Sequence, residues 1–559
     1  MADCDPSADL GTHEVFNQPP GRGDRNLWQD DVALREVAAR ANAQPEVLDR
    51  YGGVLGQTAM REAARDANNF TPELRLFDSG GRRLDEIRFH PAYHQFMELS
   101  AAAGYSAVAW EGGPGAHATH AAMVYLASQV EPGHCCPLTM SYASVPVITA
   151  ADHLSDDWRS KLLARQYDPA IRPVAEKQAV TLGMAMTEKQ GGSDVRTNTT
   201  RAEPDGEMWR LTGHKWFCSA PMSDGFLTLA NTPAGLTCFL VPRWLQGERN
   251  RIRILRLKDK LGNRSNASAE IEYDRAFACR IGAPGQGVRT IVEMVHHTRL
   301  DTSIAPAGLM RAALAEAHHW TQHRTAFQKR LIDQPLMRAV LADLVLDWEG
   351  TLALAMHVAG TFDGTTEQHR AFARIGVALS KFMANKLCPI VVGEAMEVLG
   401  GMGYVEDTPL PMLYREAPLN GIWEGSGNVI CLDALRTLAK EPLAGEVLAV
   451  ELDAAAGQNR RYDAALKQHR ARWPSIPPEA EARLFVERTA LLLTASLLLR
   501  HAPEAVADGF VATRVSAERG RIAGAVADLN VDRILLRMDP AGQASLQGRF
   551  TVPLNHEAI

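Results

Sequence analysis

Residues 181–285 have a pattern that differs from the sequence on either side. Short runs rich in β-branched and aromatic residues are separated there by turn residues, as at 237–241, and such runs are typical of strands. On both sides the apolar residues recur with the 3.6-residue period of an amphipathic helix, as at 91–103 and 336–361. The sequence therefore predicts an α+β fold with the order helical domain, β domain, helical bundle.

This pattern and the length of 559 residues, which exceeds one ordinary domain, predict four segments. They are an N-terminal helical domain over 1–180, a middle β domain over 181–285, a helical bundle over 286–440 and an extra helical domain over 441–559. The apolar run 489–499 is too short for the ~20 residues that a membrane-spanning helix needs. We therefore expect it to be a buried helix, and we expect no membrane contact.

The composition limits the classes of partner. A formal net charge of -7 argues against a chain that binds nucleic acid over its whole surface, so DNA contacts would need a local patch. The eight cysteines, of which Cys4 is the first, have no metal-ligand spacing. This predicts no metal site and reduced thiols in the cytoplasm. The first residues, with Asp3 and Asp5, lack the apolar region of a secretory signal.

A carboxylate followed by small residues stands at 422–428, in the string IWEGSGN. The pattern predicts that Glu424 lies just before a helix, where free backbone N–H groups can hold the oxygens of a cofactor. It thus combines a candidate general base with a candidate cofactor site. The alternative is that Glu424 lies near a helix start only because the helix dipole favours an acid there.

A second candidate cofactor segment is MTEKQGGSD at 186–194. Its glycines permit close approach of the backbone to a ligand, and the hydroxyls of Thr187 and Ser193 can hydrogen-bond the polar edge of a ring system. The string WFCS at 216–219 follows in a predicted strand. Its aromatic residues are equally compatible with ordinary strand positions.

Together, and in this order, the three motifs resemble those of the acyl-CoA dehydrogenase superfamily of FAD enzymes. The resemblance covers residues 70–440 and extends to KLGNR at 260–264 and GGMGY at 400–404. Strings such as RLKDKLGNRSNAS and EAMEVLGG are similar to a branch of the family that has an added C-terminal domain. The resemblance implies that FAD lies between the β domain and the bundle.

The resemblance also implies which residues bind FAD. Thr187 and the nearby backbone would contact the isoalloxazine, Ser193 the phosphates, and the strand 216–219 the face and edge of the ring. The implied cofactor-binding residues of the three motifs are Met186, Thr187, Ser193, Trp216, Phe217, Cys218, Ser219, Ile422, Trp423, Gly425, Ser426 and Asn428.

A further group of implied cofactor contacts consists of Arg324, Gln334, Gly400 and Gly401. Arg324 would reach the FAD of a neighbouring subunit, which implies at least a dimer, and the resemblance as a whole implies a homotetramer. The sequence departs from the family pattern at Gln328, where a glycine is usual, and at Glu397, where many members carry Gln. Arg324 is otherwise compatible with a solvated helix residue, and both glycines with turn positions.

By the same resemblance, Glu424 would remove the α-proton of an acyl-CoA while a hydride leaves the β-carbon for the flavin. Enclosure beside Trp423 would raise the pKa of the carboxyl toward neutrality. Electrons would then pass to an electron-transfer flavoprotein. The branch with the added domain is known for weak dehydrogenase activity, for binding double-stranded DNA and for a role in the response to DNA alkylation.

The predicted extension is more positive than the rest of the chain. From 440 to 559, 15 Lys and Arg are balanced by 15 Asp and Glu, so the remainder carries the whole net charge. Clustered cations can bind phosphates without reading base sequence. The resemblance makes Arg436, Arg514, Arg519 and Arg521 the candidate DNA contacts. The alternative is that these arginines are solvated or paired with acids.

Three functions remain open from the sequence. The first is an FAD protein that binds double-stranded DNA largely nonspecifically in the alkylation response and retains weak acyl-CoA dehydrogenase chemistry. The second is a metabolic acyl-CoA dehydrogenase in which Glu424 is the base. The third is a noncatalytic scaffold that keeps FAD because a ligand bound only to the folded state stabilises it.

Overall fold

The computed structural model describes residues 6–151, 154, 156–516 and 518–539. Cys4 and the acidic residues Asp3 and Asp5 lie outside this range, as do the last 20 residues of the predicted extension. Helices and strands alternate in the expected order, and the α+β fold class is confirmed.

The N-terminal part is helical, and its helices begin and end at residues suited to those positions. Asp31 caps the first helix by accepting a hydrogen bond from the backbone N–H of Leu34. The fourth helix begins at Pro91 and ends before Gly104, which has the left-handed φ of 95°. The elements are α1 (Val32–Arg40), α2 (Pro45–Leu55), α3 (Thr58–Asn69), β1 (Glu73–Phe77), β2 (Arg83–Arg88), α4 (Pro91–Ala103), α5 (Ala116–Ser128), α6 (Cys135–Thr149) and α7 (Asp156–Leu162).

The middle part is a seven-stranded sheet with two additional short strands. The elements are β3 (Leu182–Ala185), β4 (Arg201–Asp205), β5 (Met208–Ser219), β6 (Gly225–Thr232), β7 (Gly235–Pro242), β8 (Trp244–Leu245), β9 (Glu248–Arg249), β10 (Ile252–Leu257) and β11 (Ser268–Ile281). The strand order is β10-β11-β5-β4-β6-β3, and β7 pairs with both β11 and β6. Because β7 connects these two strands, the sheet curves around its own apolar core.

Long helices follow the sheet, joined by one small hairpin. The elements are α8 (Gly287–His323), β12 (Thr325–Ala326), β13 (Lys329–Arg330), α9 (Pro335–Phe362), α10 (Glu367–Val398), α11 (Leu410–Glu416) and α12 (Gly427–Lys440). By length and composition α10 could cross a membrane, but 78% of its most apolar window is buried inside the protein. Such burial is typical of a core helix and gives little support for a membrane span.

The extension is helical and shares its core with the preceding bundle. Its elements are α13 (Pro442–Asp453), α14 (Arg460–Arg472), α15 (Ala482–His501), α16 (Glu504–Phe510) and α17 (Val531–Leu535). The predicted buried helix at 489–499 is confirmed as part of α15. Phe510 packs so closely on Gly350 of α9 that an added Cβ there would lie 2.7 Å from the Phe510 ring.

Two of the arginines predicted to contact DNA are used for this packing instead. Arg514 has a side chain that is only 3% exposed, and it forms ion pairs of 2.7 and 2.9 Å with Asp343 and Asp347 of α9. Arg519 lies 2.8 Å from Asp343. The prediction that Arg514 and Arg519 contact DNA is therefore wrong, because buried carboxylates already hold both guanidinium groups. Arg521 is exposed.

Replacing Arg514 with Ala should destabilise the protein by about 3 kcal/mol, because Asp343 and Asp347 would lose the more buried of their two counter-ions and keep only Arg519. The matched control is Arg521→Ala, which removes the same side chain from an exposed position nearby and should change stability by less than about 0.5 kcal/mol. Urea unfolding followed by circular dichroism measures both. Equal losses in the two variants would contradict the buried ion pairs.

Candidate active site

A cleft of ≈ 1230 Å³ lies between the sheet, helices α6, α8 and α10 and the loop that precedes α12. Most of the residues predicted from the three motifs line it. They are Met186, Thr187, Ser193, Phe217, Ser219, Ile422, Trp423, Glu424, Gly425 and Ser426. The structure thus brings together segments that are more than 200 residues apart in the chain.

Two predicted residues of the strand 216–219 do not line the cleft. The Cys218 side chain is fully buried in the core of the sheet, so its thiol does not face the cleft. That Cys218 binds the cofactor through its backbone stays a prediction. Trp216 donates its backbone N–H to the Thr187 carbonyl at 2.7 Å, and Lys258 Nζ lies 3.4 Å from the centre of its ring. Trp216 therefore holds the segment 186–194 through its backbone N–H. That its ring contacts the cofactor stays a prediction.

The remaining predicted cofactor residues lie outside this chain's cleft. Arg324 donates to the Asn17 carbonyl and its guanidinium lies over the Trp320 ring, and Gln334 donates to the Ala326 carbonyl. The residues Gly400, Gly401 and Asn428 are exposed. That Arg324 reaches the FAD of a neighbouring subunit stays a prediction. The cofactor contacts of Gln334, Gly400, Gly401 and Asn428 also stay predictions.

Glu424 occupies the position that a general base would need. Its side chain faces the cleft, and its Oε2 accepts a hydrogen bond of 2.8 Å from the Thr298 hydroxyl of α8. Burial raises the pKa of Glu424, and the Thr298 hydroxyl together with Arg299 and Lys381 offsets part of that rise. The helix α12 begins three residues later, at Gly427, as predicted from the sequence.

The backbone at Glu424 is held in a conformation that few residues adopt. Its φ is +57°, in the left-handed region that disfavours side chains with a Cβ. Lys381 of α10 lies beneath the loop and donates to the carbonyls of Asn420, Trp423 and Gly425 at 2.8–3.0 Å. Burial lowers the pKa of Lys381 to about 7, against the opposing attraction of Glu424.

The sequence pattern did not identify Lys381, although it holds the loop that carries the base. A single lysine in a helical stretch resembles any solvated lysine, and only the folded structure shows that it is 1% exposed. Thr298 and Arg299 were missed for the same reason. Their neighbours in α8 are ordinary helix residues, and no motif marks them.

A buried ion pair holds the cofactor segment 186–194 against the sheet. Glu188 lies 2.8 Å from Lys215 of β5, and both side chains are fully buried. Glu188 also accepts hydrogen bonds from the backbone N–H groups of Thr199 and Thr200. Burial alone would raise the pKa of Glu188, but Lys215 and these hydrogen bonds lower it to about 2.

The residues of the cleft fit an FAD group. The volume exceeds the upper end of the range of ~300–1,000 Å³ for small-molecule sites, so the cleft can hold a cofactor and a second ligand. At Gly192 an added Cβ would lie 2.6 Å from Thr187 Oγ1, so the close turn requires glycine. At the start of α12 the Ser426 side chain caps no N–H group, which leaves donors open for a ligand's oxygens.

Three family models match successive parts of the chain. They are the AidB N-terminal domain at 17–169, the acyl-CoA dehydrogenase middle domain at 183–276 and the acyl-CoA dehydrogenase C-terminal domain at 285–439. Together with the geometry of the cleft, they show that the chain belongs to the acyl-CoA dehydrogenase family of FAD-dependent oxidoreductases.

Within the family the chain is similar to AidB. It is 42% identical over 508 residues to the putative acyl-CoA dehydrogenase AidB of Escherichia coli, covering 89% of this chain and 94% of that protein. It is 31% identical to acyl-CoA dehydrogenase family member 11 of Caenorhabditis elegans, over 74% of this chain and 71% of that protein. The solved structure of Caenorhabditis elegans ACDH-11 in complex with C11-CoA has a TM-score of 0.81 at 26% identity, over 98% of both chains.

Replacing Glu188 with Gln should lower stability in a way that depends on pH. The folded-state pKa of about 2 lies below the ordinary value of 4.5, so the carboxylate stabilises the fold fully above 4.5. That contribution disappears as the pH falls toward 2. The variant should therefore be less stable than the native protein by roughly 2–3 kcal/mol near neutral pH, with a gap that narrows in acid.

Urea unfolding at a series of pH values measures this gap. The matched control is Glu203→Gln in the same sheet, where the carboxylate is exposed and pairs only with Arg275 at 3.3 Å. It should change stability little at any pH. The difference in unfolding free energy between Glu188→Gln and the native protein could also stay constant as the pH falls. That result would show that the ion pair with Lys215 does not set the Glu188 pKa.

Proposed function

We propose that the protein carries out α,β-dehydrogenation of an acyl-CoA thioester with Glu424 as the general base. The observation that carries this proposal is the position of the Glu424 carboxylate. It faces a cleft that is also lined by the β-domain residues suited to a flavin. Bound FAD supplies the acceptor for the hydride that leaves the β-carbon.

The chain's own residues then have distinct tasks. Glu424 removes the proton from the α-carbon, and its raised pKa brings it closer to the operating pH, which favours general-base catalysis. Thr298 fixes the orientation of the carboxylate, and Lys381 holds the backbone that presents it. The product is the corresponding enoyl thioester.

The rim of the cleft suits the phosphates of coenzyme A. Arg370, Arg374 and Arg436 line it, and the Arg436 side chain is 62% exposed. Asp433 accepts two hydrogen bonds of 2.8 Å from Arg374, which fixes that guanidinium group at the rim. The related ACDH-11 structure holds C11-CoA, which supports an acyl-CoA as the ligand class here. An electron-transfer flavoprotein is the proposed acceptor of the electrons.

Replacing Glu424 with Gln should leave FAD bound but slow its bleaching by an acyl-CoA by about 10²- to 10⁴-fold, because the amide cannot accept the α-proton. Stopped-flow absorbance of the flavin under anaerobic conditions measures this rate. The matched control is Glu293→Gln, which changes an exposed carboxylate at the edge of the same cleft and should bleach at the native rate.

A native rate of bleaching in Glu424→Gln would overturn the assignment of the base. If no acyl-CoA of any chain length bleaches the flavin of the native protein, the noncatalytic scaffold becomes the better account.

We further propose that the protein binds double-stranded DNA nonspecifically, as part of a response to DNA alkylation. The supporting observation is an exposed positive face on α14. Arg460 and Lys467 are seven residues apart on one side of this helix. Within the described part of the chain neither forms an ion pair, whereas the neighbouring Arg461, Arg470 and Arg472 all pair with acids.

The DNA proposal needs point variants of the intact, FAD-loaded protein, because the extension is part of the shared core. Replacing both Arg460 and Lys467 with Gln should weaken binding of duplex DNA and reduce the slope of log affinity against log salt by about 2. A titration across a salt series measures this.

The control for the DNA experiment is the double variant Arg35→Gln/Arg75→Gln, which removes two exposed charges far from the extension in sequence. If both double variants lose affinity equally, general electrostatics rather than α14 accounts for the binding. Undetectable binding by the native protein at low salt would exclude the DNA proposal.

The homotetramer and the cytoplasmic location are also proposals. Gly400 and Gly401 are exposed and lie outside this chain's cleft, so both are accessible to a neighbouring subunit, which supports the homotetramer. The seven described cysteines form no disulfide bonds with one another, which is compatible with the cytoplasm.

A further inference from the structure

A second pocket, of ≈ 410 Å³, lies on the β domain and shares no lining residue with the FAD cleft. It is formed by the β8–β9 hairpin, by β10 and β11 and by the β1–β2 hairpin of the N-terminal part. Five arginines line it, which is an unusual number for a site of this size. They are Arg83, Arg243, Arg249, Arg251 and Arg253.

Three of these arginines are neutralised locally. The ion pairs are Arg83 with Asp85 at 2.6 Å, Arg249 with Glu86 at 2.5 Å and Arg253 with Asp274 at 2.5 Å. Across the described residues, no carboxylate lies within ion-pair distance of Arg243 or Arg251. The pocket therefore has a surplus of two positive charges.

Arg243 is the more informative of the two because it is partly buried, whereas Arg251 is exposed. Its Nη1 donates to the Met222 carbonyl at 2.9 Å, and within the described chain its other N–H groups make no hydrogen bond. Burial lowers the pKa of Arg243 to about 10, against the attraction of Asp224. Asp224 is itself paired with Lys177 at 2.6 Å, so Arg243 has no ion pair of its own among the described residues, and an anion in the pocket would supply one.

The backbone that carries both arginines is held rigidly by Asn250. Its amide donates to the carbonyls of Pro242 and Phe277, and its Oδ1 accepts from the backbone N–H groups of Phe277 and Arg251. The backbone N–H of Asn250 also donates to the Arg243 carbonyl at 2.9 Å. Because this backbone is fixed before any ligand arrives, little ordering cost remains for binding.

We propose that this pocket binds a phosphate monoester carried on an apolar or aromatic body, such as a mononucleotide. Two arginine forks match the charge and geometry of a phosphate dianion. The remaining walls include the apolar side chains of Pro221, Phe226 and Ile252, which suit a ring system. The volume lies within the range of small-molecule sites.

Calorimetric titration of the FAD-loaded protein with AMP, adenosine and inorganic phosphate tests the proposal. Loading with FAD keeps AMP out of the FAD site, and the pocket variants distinguish the pocket from the acyl-CoA part of the cleft, with which it shares no lining residue. We expect AMP to bind more tightly than adenosine. Arg243→Met and Arg251→Gln should each weaken AMP binding by about tenfold or more, because each removes charge-assisted hydrogen bonds.

Two controls distinguish loss of AMP binding at the pocket from loss of the folded structure. Arg275→Gln removes an exposed arginine of the same sheet, outside the pocket, and should bind AMP like the native protein. In the absence of ligand Arg243→Met should melt at or above the native temperature, because an apolar side chain replaces an uncompensated cation. AMP should raise the melting temperature of the native protein more than that of Arg243→Met at the same concentration.

Three results would overturn the proposal. They are no AMP binding to the native protein at millimolar concentration, equal affinity for AMP and adenosine, and unchanged AMP affinity in both pocket variants. If Arg243→Met and Arg251→Gln lose binding of duplex DNA but keep the native affinity for AMP, the pocket is a nucleic-acid contact instead.

Discussion

Three buried carboxylates on α9 determine how the chain is held together. Asp343 and Asp347 pair with Arg514, and Glu349 pairs with Arg537 at 2.8 Å. Both cations come from the last described part of the extension. A buried acid without its partner costs several kcal/mol, so the bundle cannot dispense with these residues. The extension is therefore part of the structure that carries the active site.

The active site also depends on one buried charged side chain, that of Lys381. Glu424 has a left-handed backbone, and such conformations persist only where the surroundings hold them. Lys381 does so by donating to three carbonyls of the loop. If its ammonium group were lost, three buried carbonyls would lack a partner at once, and the loop would relax. The position of the base therefore follows from a residue 43 positions earlier in the chain.

Periodicity predicted most of the fold, because helix and strand periods are local properties. The helix predicted at 91–103 appears with those bounds, and the strand run at 237–241 lies inside β7. The β1–β2 hairpin was missed, since its short strands mix polar with apolar residues and are only partly buried.

For the site, the motifs predicted the segments that meet at the cleft. They could not show that Cys218 faces the core or that Arg514 is buried, because both depend on contacts between distant parts of the chain.

The ion pairs on α9 also bear on how the protein folds. Arg514 contacts Asp347 across 167 residues of sequence, and Arg537 contacts Glu349 across 188. Contacts at such separations form late, since the loop between the partners must close first. On the ribosome the bundle would emerge with its acids still unpaired, and its core would become complete only after Arg537 had been synthesised. The positions of three carboxylates thus make completion of the bundle a late step of synthesis.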